Sequence, residues 1–467
     1  MHVTFSGAAR EVTGSCHLLT VGAHTIALDC GMFQGRRSEA REKNAQLPVP
    51  PEQLSAIVLS HAHIDHAGRL PLLTSRGFSG TIWATAATRD LCAVMLADSA
   101  HIQEKDAEFL RRRGREAAAP LYTQADIGPL MQQVVGEPYN RPFAVAPGVR
   151  ATFVDAGHIL GSASVILECS EGGATRRLVF SGDVGRWGLP IIRDPQPPRG
   201  AADLVIMEST YGDRDHPLVI DMRERLGTIV RETAARGGRV LIPAFAVGRV
   251  QEIVYDLHAL ARDKRMPAIP IYIDSPLAVD ATSIFGMHPE VFDRTEDLVQ
   301  TVQDLFRFEL VHYTRDVADS KALNVQRGPM IVIAPSGMCE AGRILHHLAH
   351  SASDPRNTIL IVGFQGQGTL GRSIVERREK LRVFGDEVPL RARVEVLNGY
   401  SAHGDRSELQ RWLQEVTGSS DKPPSVWLVH GEPPAQEALS RQLRGLGYDV
   451  HSPAPGDRAP FDEPRER

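Results

Sequence analysis

The sequence has few cysteines and no long apolar run. Its five cysteines are scattered, odd in number, and include no Cys-x-x-Cys pair. This pattern argues against a disulfide framework or a thiolate-ligated zinc site, and it is typical of proteins in the reducing cytoplasm. No apolar segment approaches the length of a membrane span, and the N-terminus lacks the charged-then-apolar pattern of a signal peptide. We therefore expect a cytoplasmic protein with no membrane partner.

A strong charge imbalance is also missing. The 467 residues include 52 Lys and Arg against 57 Asp and Glu, which gives a net charge of −5. The chain has no overall basic footprint for nucleic acid, so any binding to a polyanion must depend on local groups and metal ions. With 42% hydrophobic and 23% charged residues, the composition is that of an ordinary globular chain with room for two or three domains.

The sequence does contain a dense group of potential metal ligands. Residues 56–59 are apolar and predict a buried strand, and His61, His63, Asp65 and His66 follow it within six residues. Imidazole and carboxylate groups are common ligands of zinc. One ion does not need four ligands from a single segment, so we interpret this stretch as part of a two-metal site.

Other polar residues also follow predicted strands. His158 and Asp183 lie in loops flanked by glycine, which lets the backbone approach a compact site closely. Beside the first cluster, we interpret both as metal ligands. Asp29 ends an earlier strand, and we expect its carboxylate to accept a hydrogen bond from the N–H of a ligand. Glu208 ends a later buried strand and fits a partner for a catalytic group.

From about residue 216 the pattern changes to alternating helices and strands. This succession predicts a parallel α/β sheet with glycine-rich loops at the carboxyl ends of its strands. Such loops can cradle phosphate, and Arg343 and Arg372 lie nearby in sequence, although structural turns explain the glycines equally well. Residues 453–467 are rich in Pro, Asp and Arg and are predicted to be disordered.

The order of the early candidate ligands resembles the metallo-β-lactamase fold. The resemblance rests on Asp29, the His-x-His-x-Asp-His motif of residues 61–66, His158 and Asp183. It implies a four-layer αβ/βα sandwich in which two sheets are covered by helices. Within that fold, Asp29 would be the structural aspartate.

The later motifs are similar to the β-CASP branch of that superfamily. They are Glu208-Ser-Thr-Tyr-Gly, Ser-Ala-His403 and Val-His430-Gly-Glu. The branch includes the cleavage and polyadenylation endonuclease, RNase J and short stand-alone bacterial and archaeal RNA nucleases. The resemblance implies an α/β protein whose sandwich is interrupted by an inserted α/β β-CASP domain. The implied division is a first sandwich part at 1–208, the β-CASP domain at 209–393, a second sandwich part at 394–452, and the disordered tail at 453–467.

The resemblance also implies roles for the candidate ligands. One zinc ion would be held by His61, His63 and His158. A second would be held by Asp65, His66 and His430. Asp183 would bridge the two ions. Because the ligand atoms are nitrogen and oxygen without thiolate, zinc is favoured and manganese is an alternative.

The implied reaction is phosphodiester hydrolysis by a two-metal hydroxide mechanism. His403, oriented by Glu208, would be the general acid, and Asp65 would belong to both the ligands and the catalytic residues. The expected function is cleavage of single-stranded RNA in processing or decay, as an endonuclease with 5′–3′ exonuclease action left open. A homodimer is expected by resemblance only. The candidate substrate-binding residues are Ser336, Gly337, Arg343, Arg372 and Ser401.

Three alternatives share part of this pattern. A small-molecule hydrolase of the same fold would share the metal ligands, but it would need neither Glu208, His403 nor a large insert. A β-CASP DNA-repair nuclease would lose the histidine of the last motif, whereas His430 is present. A catalytically silent scaffold would lack some ligands, and none is missing here.

Overall fold

The computed structural model describes residues 1–35, 37–112, 119–217, 219–292, 306–363, 365–418 and 422–461. The chain divides into two compact units that alternate along the sequence. The first unit comprises Met1–Trp187, Asp194–Asp215 and His403–Arg467. The second unit comprises Gly188–Arg193 and His216–Ala402.

The first unit contains two seven-stranded sheets. The strands of one sheet are β1 (His2–Gly7), β2 (Cys16–Val21), β3 (His24–Leu28), β4 (Leu54–Val58), β5 (Thr81–Thr85), β6 (Val134–Glu137) and β22 (Arg458–Pro460). Their order is β22-β1-β2-β3-β4-β5-β6. The strands of the other sheet are β7 (Phe143–Ala146), β8 (Val149–Asp155), β9 (Ala163–Glu171), β10 (Ala174–Phe180), β11 (Leu204–Glu208), β20 (Ser425–Val429) and β21 (Asp449–His451). Their order is β21-β20-β11-β10-β9-β8-β7.

The two sheets of the first unit enclose a common apolar core. Phe5 and Leu19 of the first sheet pack in one cluster with Phe153 and Phe180 of the second. Side chains alternate between the faces of a strand, as in β1, so one face of each sheet is free to meet this core. Burial of this apolar surface holds the sheets together.

Helices cover the outer faces of these sheets. The helices of the first unit are α1 (Arg37–Ala45), α2 (Ile64–Ala67), α3 (Leu70–Ser75), α4 (Ala86–Arg112), α5 (Ile127–Met131), α12 (Arg406–Thr417) and α13 (Pro433–Gly445), with short 3₁₀ turns at Pro51–Gln53 and Gln124–Asp126. Helix α4 packs against β5 and β6. Trp412 of α12 and Leu439 of α13 pack against Val205 and Val426 of the second sheet. The predicted αβ/βα four-layer sandwich is therefore confirmed.

The second unit is built on one parallel sheet, as predicted. Its strands are β12 (Arg239–Pro243), β13 (Ile271–Ile273), β14 (Val311–Tyr313), β15 (Met330–Ala334), β16 (Thr358–Ile361) and β19 (Arg393–Val396). They pair in parallel in the order β14-β13-β15-β12-β16-β19. A hairpin of β17 (Lys380–Val383) and β18 (Asp386–Pro389) lies outside this sheet. The helices are α6 (Val219–Ala235), α7 (Arg249–Arg262), α8 (Pro276–Phe285), α9 (Val317–Val325), α10 (Ile344–Ser351) and α11 (Leu370–Val375), with 3₁₀ turns at Pro289–Val291 and Asn398–Tyr400.

The prediction of a disordered C-terminal tail is wrong for β22. This strand pairs antiparallel with β1, with Pro460 opposite His2. Ala459 and Phe461 are buried in the core of the first unit, whereas Arg458 and Pro460 are exposed, which is the alternation that a strand produces. The Pro-rich composition concealed this two-residue period, and proline is tolerated on an edge strand. Residues 462–467 lie outside the described ranges.

The units divide after Asp215 and after Ala402. The boundaries predicted for the insert, residues 209 and 393, stay a prediction. No helix in the described ranges is both long enough and apolar enough to span a bilayer.

Candidate metal centre

All seven predicted metal ligands lie just beyond the ends of strands in the first unit. These residues are His61 and His63 after β4, Asp65 and His66 in α2, His158 after β8, Asp183 after β10, and His430 after β20. All but His63 and Asp65 are almost completely buried. The ends of several strands thus bring these side chains together, and most of the side chains are buried.

One group of ligand atoms is centred on His63. Its Nδ1 lies 3.1 Å from Nε2 of His61 and 3.3 Å from Nε2 of His158. Those two Nε2 atoms each lie 3.5 Å from Oδ2 of Asp183. At zinc–nitrogen distances of about 2.0–2.1 Å, two ligands of a tetrahedral ion are roughly 3.3 Å apart. The spacing of this group therefore fits one tetrahedral metal ion.

A second group surrounds His430. Its Nε2 lies 3.2 Å from Nε2 of His66 and 3.4 Å from Oδ2 of Asp65. Nε2 of His66 is also 3.3 Å from Oδ2 of Asp183. The same carboxylate oxygen thus lies within 3.5 Å of ligand atoms from both groups, which is the position that a bridging ligand requires.

The carboxylate of Asp183 tests whether these residues suit a metal ion. Its Oδ1 is buried, and no hydrogen bond reaches that atom from any residue in the described ranges. A buried carboxylate oxygen without a donor is costly unless a positive charge lies beside it. The donors around it are imidazoles and one carboxylate, with no thiolate, so the residues present fit zinc.

The pKa of His66 is shifted in the opposite direction from those of His61 and His63. Burial lowers the pKa of His61 well below its usual value and that of His63 to about 4, so both rings are neutral, as metal ligands must be. Burial also lowers the pKa of His66, but the charges of Asp183 and Asp29 outweigh it and raise the pKa well above normal. This ring therefore lies where a positive charge is strongly favoured.

Asp29 contacts the ring nitrogen of His66 that faces away from the second group. Its Oδ2 lies 2.7 Å from Nδ1 of His66, which leaves Nε2 directed at the second group. The carboxylate also accepts hydrogen bonds from the backbone N–H of Ser60 at 2.8 Å and from the hydroxyls of Ser60 and Ser15 at 3.0 Å. Such a partner fixes the orientation and tautomer of a metal ligand. The structure places Asp29 where an orienting role needs it.

Two hydroxyl groups beside the ligands were not predicted. The Oγ of Ser60 lies 3.1 Å from Nδ1 of His61, and the Oγ1 of Thr210 lies 3.1 Å from Nδ1 of His430. Ser60 directly precedes His61, and Thr210 lies in the motif that begins at Glu208. The sequence places both residues next to motif residues, which could have indicated them. Serine and threonine are too common beside such motifs for this position alone to identify them.

His403 has a different partner. Its Nδ1 lies 3.1 Å from Oε1 of Glu208, and that oxygen also accepts the backbone N–H of Val184 at 2.7 Å. Burial lowers the pKa of His403, but the charges of Glu208 and Asp183 outweigh it and raise the pKa to about 9. The protonated form of the ring is thus favoured beside a carboxylate that is fully buried.

The atoms of His403 and Glu208 are also close enough to Asp183 and His430 to form a third candidate ligand group. We interpret this pair instead as a hydrogen-bonded dyad. The nitrogen of His403 that faces this group, Nδ1, is 3.8 Å from Asp183 but only 3.1 Å from Glu208. That separation marks Glu208 as its partner.

The candidate substrate-binding residues lie in the second unit. Arg343 donates from Nη1 to Oδ1 of buried Asp274 at 2.6 Å and to the carbonyl of Thr314 at 3.1 Å. The other oxygen of Asp274 lies 2.7 Å from Nε2 of His347. The guanidinium of Arg343 is therefore occupied by an internal network, which also holds the ring of His347.

The remaining candidates have more local contacts. Arg372 donates to Glu376 at 2.9 Å on the surface of α11. The hydroxyl of Ser336 accepts the backbone N–H of Glu340 at 3.0 Å. Gly337 packs so closely on the ring of Phe245 that a Cβ would lie 2.8 Å from it, and Ser401 is buried. A substrate role for these residues stays a prediction.

Family models match most of the chain. The model of the metallo-beta-lactamase superfamily matches residues 9–205. The Beta-Casp domain matches residues 250–374. A model described as a Zn-dependent metallo-hydrolase RNA specificity domain matches residues 387–453. With the sandwich fold and the ligand cluster, these matches define the chain as a metal-dependent hydrolase of the metallo-β-lactamase superfamily.

Known relatives narrow this class. The ribonuclease TTHA0252 of Thermus thermophilus is 40% identical and aligns with 98% of this chain and 100% of its own length. The transcription termination factor FttA of Pyrococcus abyssi is 31% identical, with 97% and 70% coverage. The chain belongs to the β-CASP family. A solved structure of a protein of unknown function from Enterococcus faecalis V583 shares the fold, with a TM-score of 0.53 at 12% identity and 98% and 99% coverage.

Proposed function

We propose that the chain is a zinc-dependent ribonuclease that hydrolyses phosphodiester bonds of single-stranded RNA. The observation that carries this proposal is the shared Oδ2 of Asp183, within 3.5 Å of His61, His66 and His158. The full-length match to a relative named ribonuclease supports RNA as the substrate, as does the match to an RNA specificity domain.

The proposed centre would hold two zinc ions. His61, His63 and His158 would bind one, and Asp65, His66 and His430 would bind the other. Asp183 would be a ligand common to both groups. Zinc at such a site supplies Lewis-acid chemistry, which activates water as a nucleophile and offsets charge on phosphate oxygens. Manganese suits the same nitrogen and oxygen donors and is the alternative metal.

His403 is the proposed general acid. Since its Nδ1 faces Glu208, its Nε2 carries the proton that the leaving oxygen needs. Glu208 accepts from His403 and from the backbone N–H groups of Val184 and Thr210, so the carboxylate is fixed and keeps the ring in one orientation. Products with 5′-phosphate and 3′-hydroxyl ends follow from protonation of a 3′ leaving oxygen. Endonuclease action is proposed, with 5′–3′ exonuclease action as a second mode.

Substrate contacts are proposed for the second unit. Ser336, Gly337, Arg372 and Ser401 remain candidates, and Arg343 would have to contact RNA while paired with Asp274. A cytoplasmic location suits the five free and buried cysteines. A homodimer is proposed from the family resemblance, and sedimentation of the full chain would measure it.

The test of this function is cleavage of labelled single-stranded RNA beside DNA of the same sequence. We expect RNA to be cleaved with zinc present, little DNA cleavage, and loss of cleavage with a chelator that zinc reverses. Asp183→Ala, purified in parallel, excludes a contaminating ribonuclease. A DNA-repair nuclease would instead cleave the DNA strand at least as fast, and a small-molecule hydrolase would cleave a thioester or lactone and neither strand.

A further inference from the structure

The chain segment just before His403 is anchored by a buried tyrosine. Tyr400 ends the 3₁₀ turn Asn398–Tyr400, and only 5% of it is exposed. Its hydroxyl donates to Oδ2 of Asp256 in α7 at 2.6 Å. A hydrogen bond to a carboxylate is among the stronger ones, and burial removes competition from water. The turn is therefore fixed to α7 by a contact that spans 144 positions of the sequence.

Asp256, which accepts the hydrogen bond from Tyr400, also has a second partner. Oδ1 of Asp256 accepts from Nε of Arg223 in α6 at 2.7 Å, so both oxygens of a buried carboxylate are used. The neighbouring Gly399 lies so near Met222 of α6 that a Cβ would be 2.3 Å from its sulfur. The turn thus rests on α6 through packing and on α7 through a charge-assisted hydrogen bond.

The segment just after His403 is anchored separately. The backbone N–H of Gly404 donates to the carbonyl of Val184 at 2.7 Å. Asp405 begins α12 with a capping box, in which its side chain and that of Glu408 each accept the other's backbone N–H at 2.9 Å. The residues that follow His403 are therefore held within the first unit. Along the chain, only Ser401 and Ala402 separate His403 from Tyr400.

We propose that Tyr400, held by Asp256 and Arg223, is a positioning residue for the general acid His403. The inference rests on the proposed function of His403. Proton transfer is sensitive to placement, since a 1 Å error can cost about 100-fold in rate. The bond from Tyr400 to Asp256 fixes the approach of the chain to His403.

The test compares two tyrosine hydroxyls of the second unit. Tyr400→Phe removes the bond to Asp256, and Tyr313→Phe removes a matched bond to the backbone carbonyl of Phe306 at 2.9 Å. We expect Tyr400→Phe to lower kcat on RNA about tenfold, with KM, zinc content and Tm close to wild type. Tyr313→Phe should leave kcat unchanged.

The dependence of the rate on the leaving group distinguishes a positioning role from a purely structural one. Structural damage would slow both substrates equally. In RNA with sulfur in place of the scissile 3′ oxygen, the leaving thiolate needs no proton, so Tyr400→Phe should match wild type. Arg223→Lys keeps the charge but loses the Nε donor, and should fall between wild type and Tyr400→Phe on oxygen-linked RNA.

Two results would overturn the inference. One is wild-type kcat for Tyr400→Phe, and the other is an equal loss on both substrates, which would indicate general damage. His403→Ala in the same series keeps this outcome distinct from failure of the proposed function. If His403→Ala itself cleaves oxygen-linked RNA at the wild-type rate, the general-acid assignment fails. If His403→Ala loses rate only on that substrate while Tyr400→Phe does not, only the positioning role fails.

Discussion

The loops that carry His403 and His430 both follow a strand, yet the structure gives their histidines different neighbours. His430 is buried with its Nε2 against His66 and Asp65, and its Nδ1 beside the hydroxyl of Thr210. His403 has 18% of its side chain exposed and faces Glu208 through Nδ1. Nε2 of His430 faces a group of ligand atoms. Nδ1 of His403 faces a carboxylate, and its ring is partly exposed.

In both histidines, the group that contacts Nδ1 influences the chemistry available at Nε2. Nδ1 of His430 lies 3.1 Å from the hydroxyl of Thr210 and 3.5 Å from Oδ1 of Asp183, while its Nε2 faces the ligand atoms of the second group. A carboxylate behind Nδ1 favours a protonated ring in His403, which suits proton donation. Both histidines have Asp183 as a neighbour, so a change at this residue should affect both of their environments.

Asp183→Ala should have the largest effect. It removes the oxygen that lies near ligands of both groups, so both ions should be lost and cleavage should fall by more than about 10⁴-fold, the upper range for losing a general acid. Elemental analysis and single-turnover cleavage measure the two effects. Full zinc occupancy in this variant would contradict the shared-ligand role, and Asp203→Ala on the same unit serves as a surface control.

His403→Ala should slow oxygen-linked RNA cleavage by about 10²–10⁴-fold, or roughly 3–5 kcal/mol in the barrier, because a positioned acid is lost. Cleavage of RNA with a 3′ sulfur leaving group should recover most of the rate. Rates on the two substrates, measured at saturating RNA, separate the chemical step from binding. A rate that stays low as the leaving group improves would reject proton donation by His403.

His430→Ala should also slow cleavage, by more than the roughly 10–100-fold typical of losing a residue that only orients a ligand. The better leaving group should not help this variant, since the defect lies in the metal group and not in protonation. Parallel rates on oxygen-linked and sulfur-linked RNA measure this. Recovery on the sulfur substrate would mean that His430 behaves like His403 and that the comparison is false.

Thr210→Val is a smaller change aimed at the same ring. It keeps the shape of the side chain and removes the hydroxyl that lies 3.1 Å from Nδ1 of His430. Zinc affinity of the second group should weaken about 10–100-fold, and cleavage should be restored by added zinc. A competition titration with a chelator measures the affinity. An unchanged titration would show that this hydroxyl does not orient the ligand.

His17→Leu should have the smallest effect on cleavage. His17 is a buried strand residue, and neither ring nitrogen has a hydrogen-bond partner in the described ranges. Burial lowers its pKa to about 3, far below the unfolded value, so the stability it allows at neutral pH is lost as pH falls from about 6.5 towards 3. The variant should keep wild-type activity and lose less stability in acid, as denaturant midpoints against pH would show. A wild-type acid profile would contradict this.

The residues of the site could be predicted because each candidate lies in a short motif beside a strand. Apolar runs, glycine-flanked loops and histidine spacing are local features of the sequence, and they indicated the early ligands. The roles of His403 and His430 came from the family resemblance. The bond from Tyr400 to Asp256 and the pairing of Arg343 with Asp274 could not be predicted, since they join residues 144 and 69 positions apart. Strand β22 was missed for another reason, because its proline-rich composition outweighed a two-residue apolar period.

Whether His430 is a metal ligand and His403 is not can be decided from the zinc content of His403→Ala and His430→Ala, measured side by side with wild type. Both variants replace one imidazole with a methyl group, so they are matched in chemistry and differ only in position. The account predicts close to two zinc equivalents per chain for wild type and for His403→Ala, and about one for His430→Ala. Loss of zinc from His403→Ala, or full zinc in His430→Ala, would contradict it.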